Sequence, residues 1–395
     1  MVKKMLNILM ILGSFAIWQA CFSMAPRVTL EPFVVLKSDL SQLADSLISL
    51  AQEFSKPIKE ESTALELIGI ASIWPFIADG KKNGTTEIKL TEKQFVEFYK
   101  NDIQRIAARN PVPSKPADGS ILRIVSYNVN FWRTPDYKFE PEAMMAIIEG
   151  LNPDIIILEN VLLISSFKHL KDENSFYEWL KTLGYIDSGF AAAGFTREKN
   201  PIGNALAIKH GIKTVKKESG QFDTKFAGNS RSLIKFIIEL PNKERLSIYG
   251  SLFEKQDPNA AAIQVIELLD NAQKNDPTPR KIIAADFKSV RQKDYNYQVH
   301  GYAIWNDLFN EKLLEQMSVG TKALEIMEKV GYENALDKSQ KKSTVKPFFT
   351  NYFGIMTDFF YVSPRFDWPV DFFVMYTDLS SHLPIVLDVH IPKKK

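Results

Sequence analysis

The chain has 395 residues, 45% of them hydrophobic and 24% charged, so it carries material for a substantial core and the charge of an ordinary globular protein. Its 49 Lys and Arg residues nearly cancel 47 Asp and Glu, leaving a net charge of +2 with the basic residues spread evenly. That balance disfavours a protein that grips nucleic acid through a basic stripe, and a single cysteine excludes an internal disulfide.

Lys3 and Lys4 precede an uncharged stretch that runs from Met5 to Pro26, and the next charge is Arg27. A basic start, an apolar middle and small residues near Ala20 or Ser23 to Ala25 read as a secretory signal, so residues 1–25 predict export. The same stretch is just long enough to stay uncleaved as a membrane anchor, the one route by which the sequence predicts membrane contact. Cys21 stands where a bacterial lipoprotein carries its lipidated cysteine, and Ala20 suits that position. Trp18 and Gln19 do not, so a lipid anchor and a cysteine inside a removed signal both stand.

Residues 27–118 read as a helical accessory region. Leu40, Leu43, Leu47, Ile48 and Leu50 recur at helical spacing. Thr91 and Gln94 form a capping-box pattern ahead of Phe95, Val96, Tyr99, Ile103 and Ile106. Pro111, Pro113, Pro116 and Gly119 then form a linker that cannot continue a helix.

From residue 119 to 395 the pattern alternates. Residues 122–129 predict a strand, 141–151 a helix with Pro141 in its first turn, 154–158 a buried strand and 166–183 a helix. Residues 203–209, 232–240 and 245–253 read as consecutive strands, and 191–200 and 298–317 as loops. A helix over 260–272, a strand over 281–286, helical pieces over 302–330 and strands over 358–362 and 384–390 complete the domain. Such alternation predicts mixed α/β with helices outside paired sheets.

Several of these apolar runs end on a polar side chain: Asn128, Glu159 with Asn160, Asp286 with Lys288, and, at the starts of the closing strands, Asp358 and His382. Strands that carry carboxylate, amide and imidazole groups at their tips can build one polar site where two sheets meet. In order and spacing, the segments around these residues resemble the endonuclease/exonuclease/phosphatase superfamily of Mg²⁺-dependent phosphodiesterases and phosphatases, over residues 121 to 392. The resemblance implies a four-layer sandwich of two packed mixed β-sheets flanked by helices. It also implies Mg²⁺ or Mn²⁺ as the cofactor of an active form, and a phosphate-containing ligand. Asn128 matches the asparagine that supports the metal, Asp286 the aspartate that orients or activates water, Asp358 the aspartate of a late strand, and His382 the terminal histidine.

The sequence departs from that pattern at Asn160, Leu252, Lys288 and Ser381. Asn160 replaces the glutamate that binds Mg²⁺, and an amide is a poor ligand for a hard cation. Glu159, one residue earlier, is the candidate replacement ligand; strand alternation aims it at the other face unless a bulge intervenes. Leu252 replaces a phosphate-contacting histidine, and Ser381 the aspartate before His382. Lys288 replaces an asparagine that steadies phosphate: its ammonium can bind phosphate, fill the place of the metal, or sit in a solvated loop. Two functions therefore remain, a divergent phosphate-ligand binder with weak or no phosphodiesterase activity and an active metal-dependent phosphodiesterase or phosphatase.

Overall fold

The computed structural model describes residues 107–108, 111–224, 231–254, 257–291, 321–339, 350 and 356–392. The expected signal with Cys21, the two N-terminal helical patterns up to Ile106 and the loop at 298–317 lie outside the described residues. The chain divides into two compact units, Met1–Leu65 and Glu66–Lys395, and every described residue belongs to the second.

The elements in chain order are β1 (Ile121–Asn128), α1 (Pro141–Gly150), β2 (Ile155–Leu162), α2 (Glu173–Thr182), β3 (Tyr185–Phe195), β4 (Pro201–Lys209) and β5 (Lys213–Gln221). There follow β6 (Ser232–Glu239), β7 (Arg245–Leu252), α3 (Pro258–Lys274), β8 (Lys281–Asp286), α4 (Lys322–Lys329), β9 (Glu333–Asn334) and α5 (Ala335–Lys338). The last strands are β10 (Asp358–Val362), β11 (Val370–Val374) and β12 (Ile385–His390). They form two six-stranded sheets, ordered β11-β12-β1-β2-β4-β3 and β5-β6-β7-β8-β10-β9. Each is mixed, with one parallel pair at its centre: β1 beside β2, and β7 beside β8. The result is the expected two-sheet α/β sandwich flanked by helices.

Alternation along the central strands sorts their side chains into two layers. Val125 and Tyr127 of β1 and Ile156 and Leu158 of β2 join Met144, Met145 and Ile148 of α1 and Phe176, Trp179 and Leu180 of α2 in one cluster around Trp132. Burial of each such side chain contributes about 1.5–3 kcal/mol. The intervening residues face the other sheet. A Cβ on Gly250 of β7 would stand 2.6 Å from Cγ2 of Ile157, so the sheets approach too closely there for any side chain larger than glycine's. At the far end of β1, Arg123 is 2% exposed and grips Asp388 of β12 through two bonds of 2.7 Å. It also donates to the carbonyl of Pro113 at 2.8 Å, fastening the Pro-rich segment to the sandwich.

Four strands, β3, β5, β9 and β11, differ from the sequence expectation. The stretch over 191–200, expected as a loop, begins as the second half of β3. Strands β4 and β6 are not consecutive, because β5 lies between them. β11 also fills a gap in the closing set. The expected helix over 166–183 is broken instead into a 3-10 turn, Lys168–Leu170, and α2. Asp172 causes the break: its side chain accepts the amide N–H of Ser175 at 2.8 Å and caps a new helix start.

Candidate active site

The tips of β1, β2 and β8 and the starts of β10 and the β12 segment converge at one edge of the sandwich. Antiparallel pairing sets Asp358 directly opposite Asp286, and parallel pairing sets Asn128 beside Glu159. His382 arrives three residues before β12, in the turn that Ser380 ties to β1 by donating to the Asn128 carbonyl at 2.8 Å. The amide N–H of His382 donates back to Ser380 Oγ at 3.2 Å.

Asp286 is fully buried and both its oxygens are engaged. Oδ2 accepts the Asn128 amide at 2.7 Å and pairs with the Lys288 ammonium; Oδ1 accepts the backbone N–H of Lys288 at 3.1 Å. Burial alone would raise this carboxyl, but electrostatic attraction to Lys288 and His382, with the Lys288 and Asn128 hydrogen bonds, outweighs it and holds the group below the usual aspartate range. Asp358 is also buried. Its Oδ2 accepts the hydroxyls of Thr350 at 2.6 Å and Thr357 at 3.1 Å, and the His382 Nδ1 atom stands 3.0 Å from the same oxygen.

Lys288 Nζ lies 3.2 Å from His382 Nε2. An ammonium only donates, so in this contact Nε2 is the accepting atom, which leaves Nδ1 as the atom facing Asp358. Lys288 reaches this place because its backbone is left-handed, at φ 50°, which turns the chain back over its own strand tip. Two of the three ammonium N–H groups are thus taken by Asp286 and His382, and no further partner stands among the described residues.

Asp286, Asp358 and His382 each offer a ligand atom, all within 4.8 Å of one another, close enough to hold a metal ion. Glu159 lies outside that group. Contrary to the expectation that alternation would aim it away, Glu159 shares the inward face of Asn128, but its carboxyl turns to Ser126, whose hydroxyl donates to Oε1 at 2.5 Å, and Oε2 has no partner among the described residues. Burial first, opposed by the Ser126 bond and reinforced by the negative charges of Asp358 and Asp286, pushes this carboxyl well above the ordinary glutamate range. The pairing of β2 with β4 slips between Leu158 and Val161, the bulge that the sequence left as a condition. It turns Asn160 rather than Glu159: at φ 55° Asn160 donates its amide to Asn128 Oδ1 at 3.1 Å.

Leu252 pairs with Asp286 across β7 and β8 and is buried. It helps line a small crevice beside Asn160, with Asn204, Arg231 and Ser232 on the other walls. Arg231 is bound to Glu254 at 3.1 Å through Nη2, while its buried Nε finds no partner among the described residues. Sequence reading did not single out Thr350, Thr357, Ser126 or Arg231. Only the first two had a legible neighbour, the aspartate they fix, and nothing in their spacing marks them.

No protein-family model matches the sequence, and no curated protein matches it. Solved structures do. The chain is similar to the human Nocturnin catalytic domain with bound sulfate, at 14% identity and a TM-score of 0.49, over 72% of this chain and 97% of that one. It is similar to an endonuclease/exonuclease/phosphatase from Beutenbergia cavernae at 15% identity and a TM-score of 0.48, over 69% and 72% of the two chains. A mannosyl-6-phosphatase from Bacteroides thetaiotaomicron is similar at 13% identity and a TM-score of 0.45, over 68% of this chain and all (100%) of that one.

Proposed function

We propose that this protein is an exported, divergent relative of the phosphodiesterases and phosphatases that share its fold, and that it binds a phosphate-bearing ligand and hydrolyses it weakly or not at all. The observation that carries this reading is the Lys288 ammonium, held between Asp286 and His382.

Hydrolysis of a phosphodiester needs an attacking water with a base to take its proton, and positive charge aimed at the phosphate oxygens. Asp286 is badly placed as that base. It is buried, its oxygens are occupied by Asn128 and Lys288, and its carboxyl is held below the usual range, so its proton affinity is weak. His382 accepts from Lys288 and is thereby kept from offering an N–H at Nε2 to phosphate. Hydrogen-bond donors survive better than base chemistry: the remaining Lys288 N–H, with the Asn160 amide and Arg231 that line the adjoining crevice, suits an anionic group.

Mg²⁺ or Mn²⁺ does not fit the group as it stands. An octahedral divalent ion wants several oxygen ligands at about 2.0–2.1 Å, and here an ammonium already contacts Asp286 and His382 while Asp358 is spent on His382 and two threonines. Glu159, the candidate replacement ligand, is drawn to Ser126.

Hydrolysis of an activated phosphodiester by the purified protein, with Mg²⁺, with Mn²⁺ and with EDTA, tests the reading against an Asp286→Ala control. Turnover no greater than the control, together with inorganic phosphate binding that raises the melting temperature, is the expected result. Metal-dependent turnover lost in the control would refute it and favour the active phosphodiesterase, the alternative that the close spacing of Asp286, Asp358 and His382 supports. Export is tested by the N-terminus of the mature protein, expected near Pro26; retention in a detergent phase would favour the anchor or a lipid on Cys21.

A further inference from the structure

The three ligand groups and the lysine that stands among them define a specific relationship. Asp286, Asp358 and His382 have the spacing of a metal site, on rigid strand tips that are all buried. Lys288 is the fourth wall. Its side chain is 9% exposed, its backbone N–H binds Asp286 Oδ1, and its left-handed φ of 50° bends the side chain back over the same aspartate. The ammonium then takes Asp286 Oδ2 and His382 Nε2, one atom from each of two of the three candidate ligands. A divalent ion seated there would share those two atoms with a fixed positive charge, in a place with little water to screen the repulsion.

We propose that the Lys288 ammonium is a built-in substitute for a divalent cation: it holds Asp286 and His382 where a metal would, and its replacement by a neutral side chain uncovers a latent metal site made by Asp286, Asp358 and His382. The site is therefore gated by one residue. The lysine makes a single positive charge permanent, independent of metal supply, and costs the protein the doubly charged ion that activates water. The contacts that hold Asp358 to Thr350, Thr357 and His382 do not involve the lysine, so ligation by Asp358 also requires its contact with His382 Nδ1 to give way. The inference concerns cation occupancy and rests on the preceding functional reading only for the purpose of that charge.

Mn²⁺ titration followed by the loss of the free-ion electron paramagnetic resonance signal, and independently by calorimetry, reads the site without reference to activity. The full-length protein is expected to bind no Mn²⁺ that an Asp286→Asn substitution removes. Lys288→Ala and Lys288→Asn are each expected to bind one Mn²⁺ on the order of 10–100-fold tighter, the scale on which groups touching a metal ligand act. Lys288→Arg, which keeps the charge, should bind none. In the Lys288→Ala/Asp286→Asn double variant the gained site should vanish. Mn²⁺ bound by the unaltered protein and lost with Asp286→Asn would overturn the inference. So would a folded Lys288→Ala and Lys288→Asn pair, judged by circular dichroism and melting, that bind no Mn²⁺. Should neither neutral variant fold, the titration of the unaltered protein and Lys288→Arg still decides whether metal is excluded. Metal-free turnover by the unaltered protein would sink the functional reading alone, whereas a folded, metal-blind Lys288→Ala sinks only this inference.

Discussion

Glu159→Gln isolates the charge cost of one buried carboxyl. Glu159 is 1% exposed, accepts a hydrogen bond from the Ser126 hydroxyl and has one oxygen without a partner among the described residues. Burial, with the charges of Asp358 and Asp286 behind it, raises its folded-state pKa well above the ordinary value. In the unfolded chain the same group titrates near about 4.3. Between those two values the folded protein holds a proton that the unfolded chain has released, so stability is greatest below the unfolded pKa and falls as pH rises toward the folded one. Linkage sets the steepest slope of that fall at about 1.4 kcal/mol per pH unit for one proton. Glutamine is neutral throughout and nearly the same shape, so the variant escapes the fall. Its amide puts an extra unpartnered N–H beside the orphan oxygen's position, a fixed cost of about 1–3 kcal/mol. That cost shifts the two curves apart without changing their slopes. Urea denaturation of both proteins at several pH values from 4 to 8 (about one unit apart) reads the difference. The stability of Glu159→Gln relative to the unaltered protein should climb with pH above about 4.3. A difference that stays flat across the range would refute a raised pKa and reopen Glu159 as an ionised cation ligand.

Removing one partner of the buried Arg123–Asp388 pair by Asp388→Ala should cost about 3–5 kcal/mol in a denaturant titration, because it strands a guanidinium that is 2% exposed. Gly250→Ala drives a methyl to 2.6 Å from Ile157 and should destabilise by about 1–3 kcal/mol, seen as a lower melting temperature. Thr350→Val removes the hydroxyl that donates to Asp358 and accepts the amides of Thr357 and Asp358. It should cost about 1–3 kcal/mol and weaken phosphate binding, with the His382 ring resonances shifted in an NMR spectrum.

The site residues are legible because Asn128 and Asp286 close apolar runs and Asp358 and His382 open them, and apolar runs survive reading without neighbours. The resemblance in order and spacing joins Asn128, Asp286, Asp358 and His382 as one set, and the structure brings them together. The outer strands were not legible for a physical reason. β5 reads Lys-Thr-Val-Lys-Lys-Glu-Ser-Gly-Gln, polar on both faces, because it is an edge strand whose pairing partner supplies all its order. β3 passes through Ala191 to Gly194, small residues with no alternation, and is fixed only by pairing with β4. The place of Lys288 was open among three readings in the sequence, since a left-handed backbone cannot be read from a lysine. The sequence makes a bulge the condition for Glu159 to reach the site; where the bulge falls and which side chain it turns depend on the β4 register, a long-range fact. Thr350 lies eight residues before Asp358, and nothing in that spacing marks its bond to the aspartate.

The two sheets meet at the site through cross-layer hydrogen bonds that include Asn128 to Asp286 at 2.7 Å and His382 to Asp358 at 3.0 Å. One partner of each belongs to the β1 sheet's side and the other to the β8 sheet's, so neither bond forms until both halves of the chain are docked in register. The site thus works as a gauge of the sandwich. A methyl added between the layers at Gly250 would be read as a lengthened bond at Asp286, and a ligand that bridges the two tips would clamp the layers together. Ligand binding and resistance to unfolding should therefore rise and fall as one quantity.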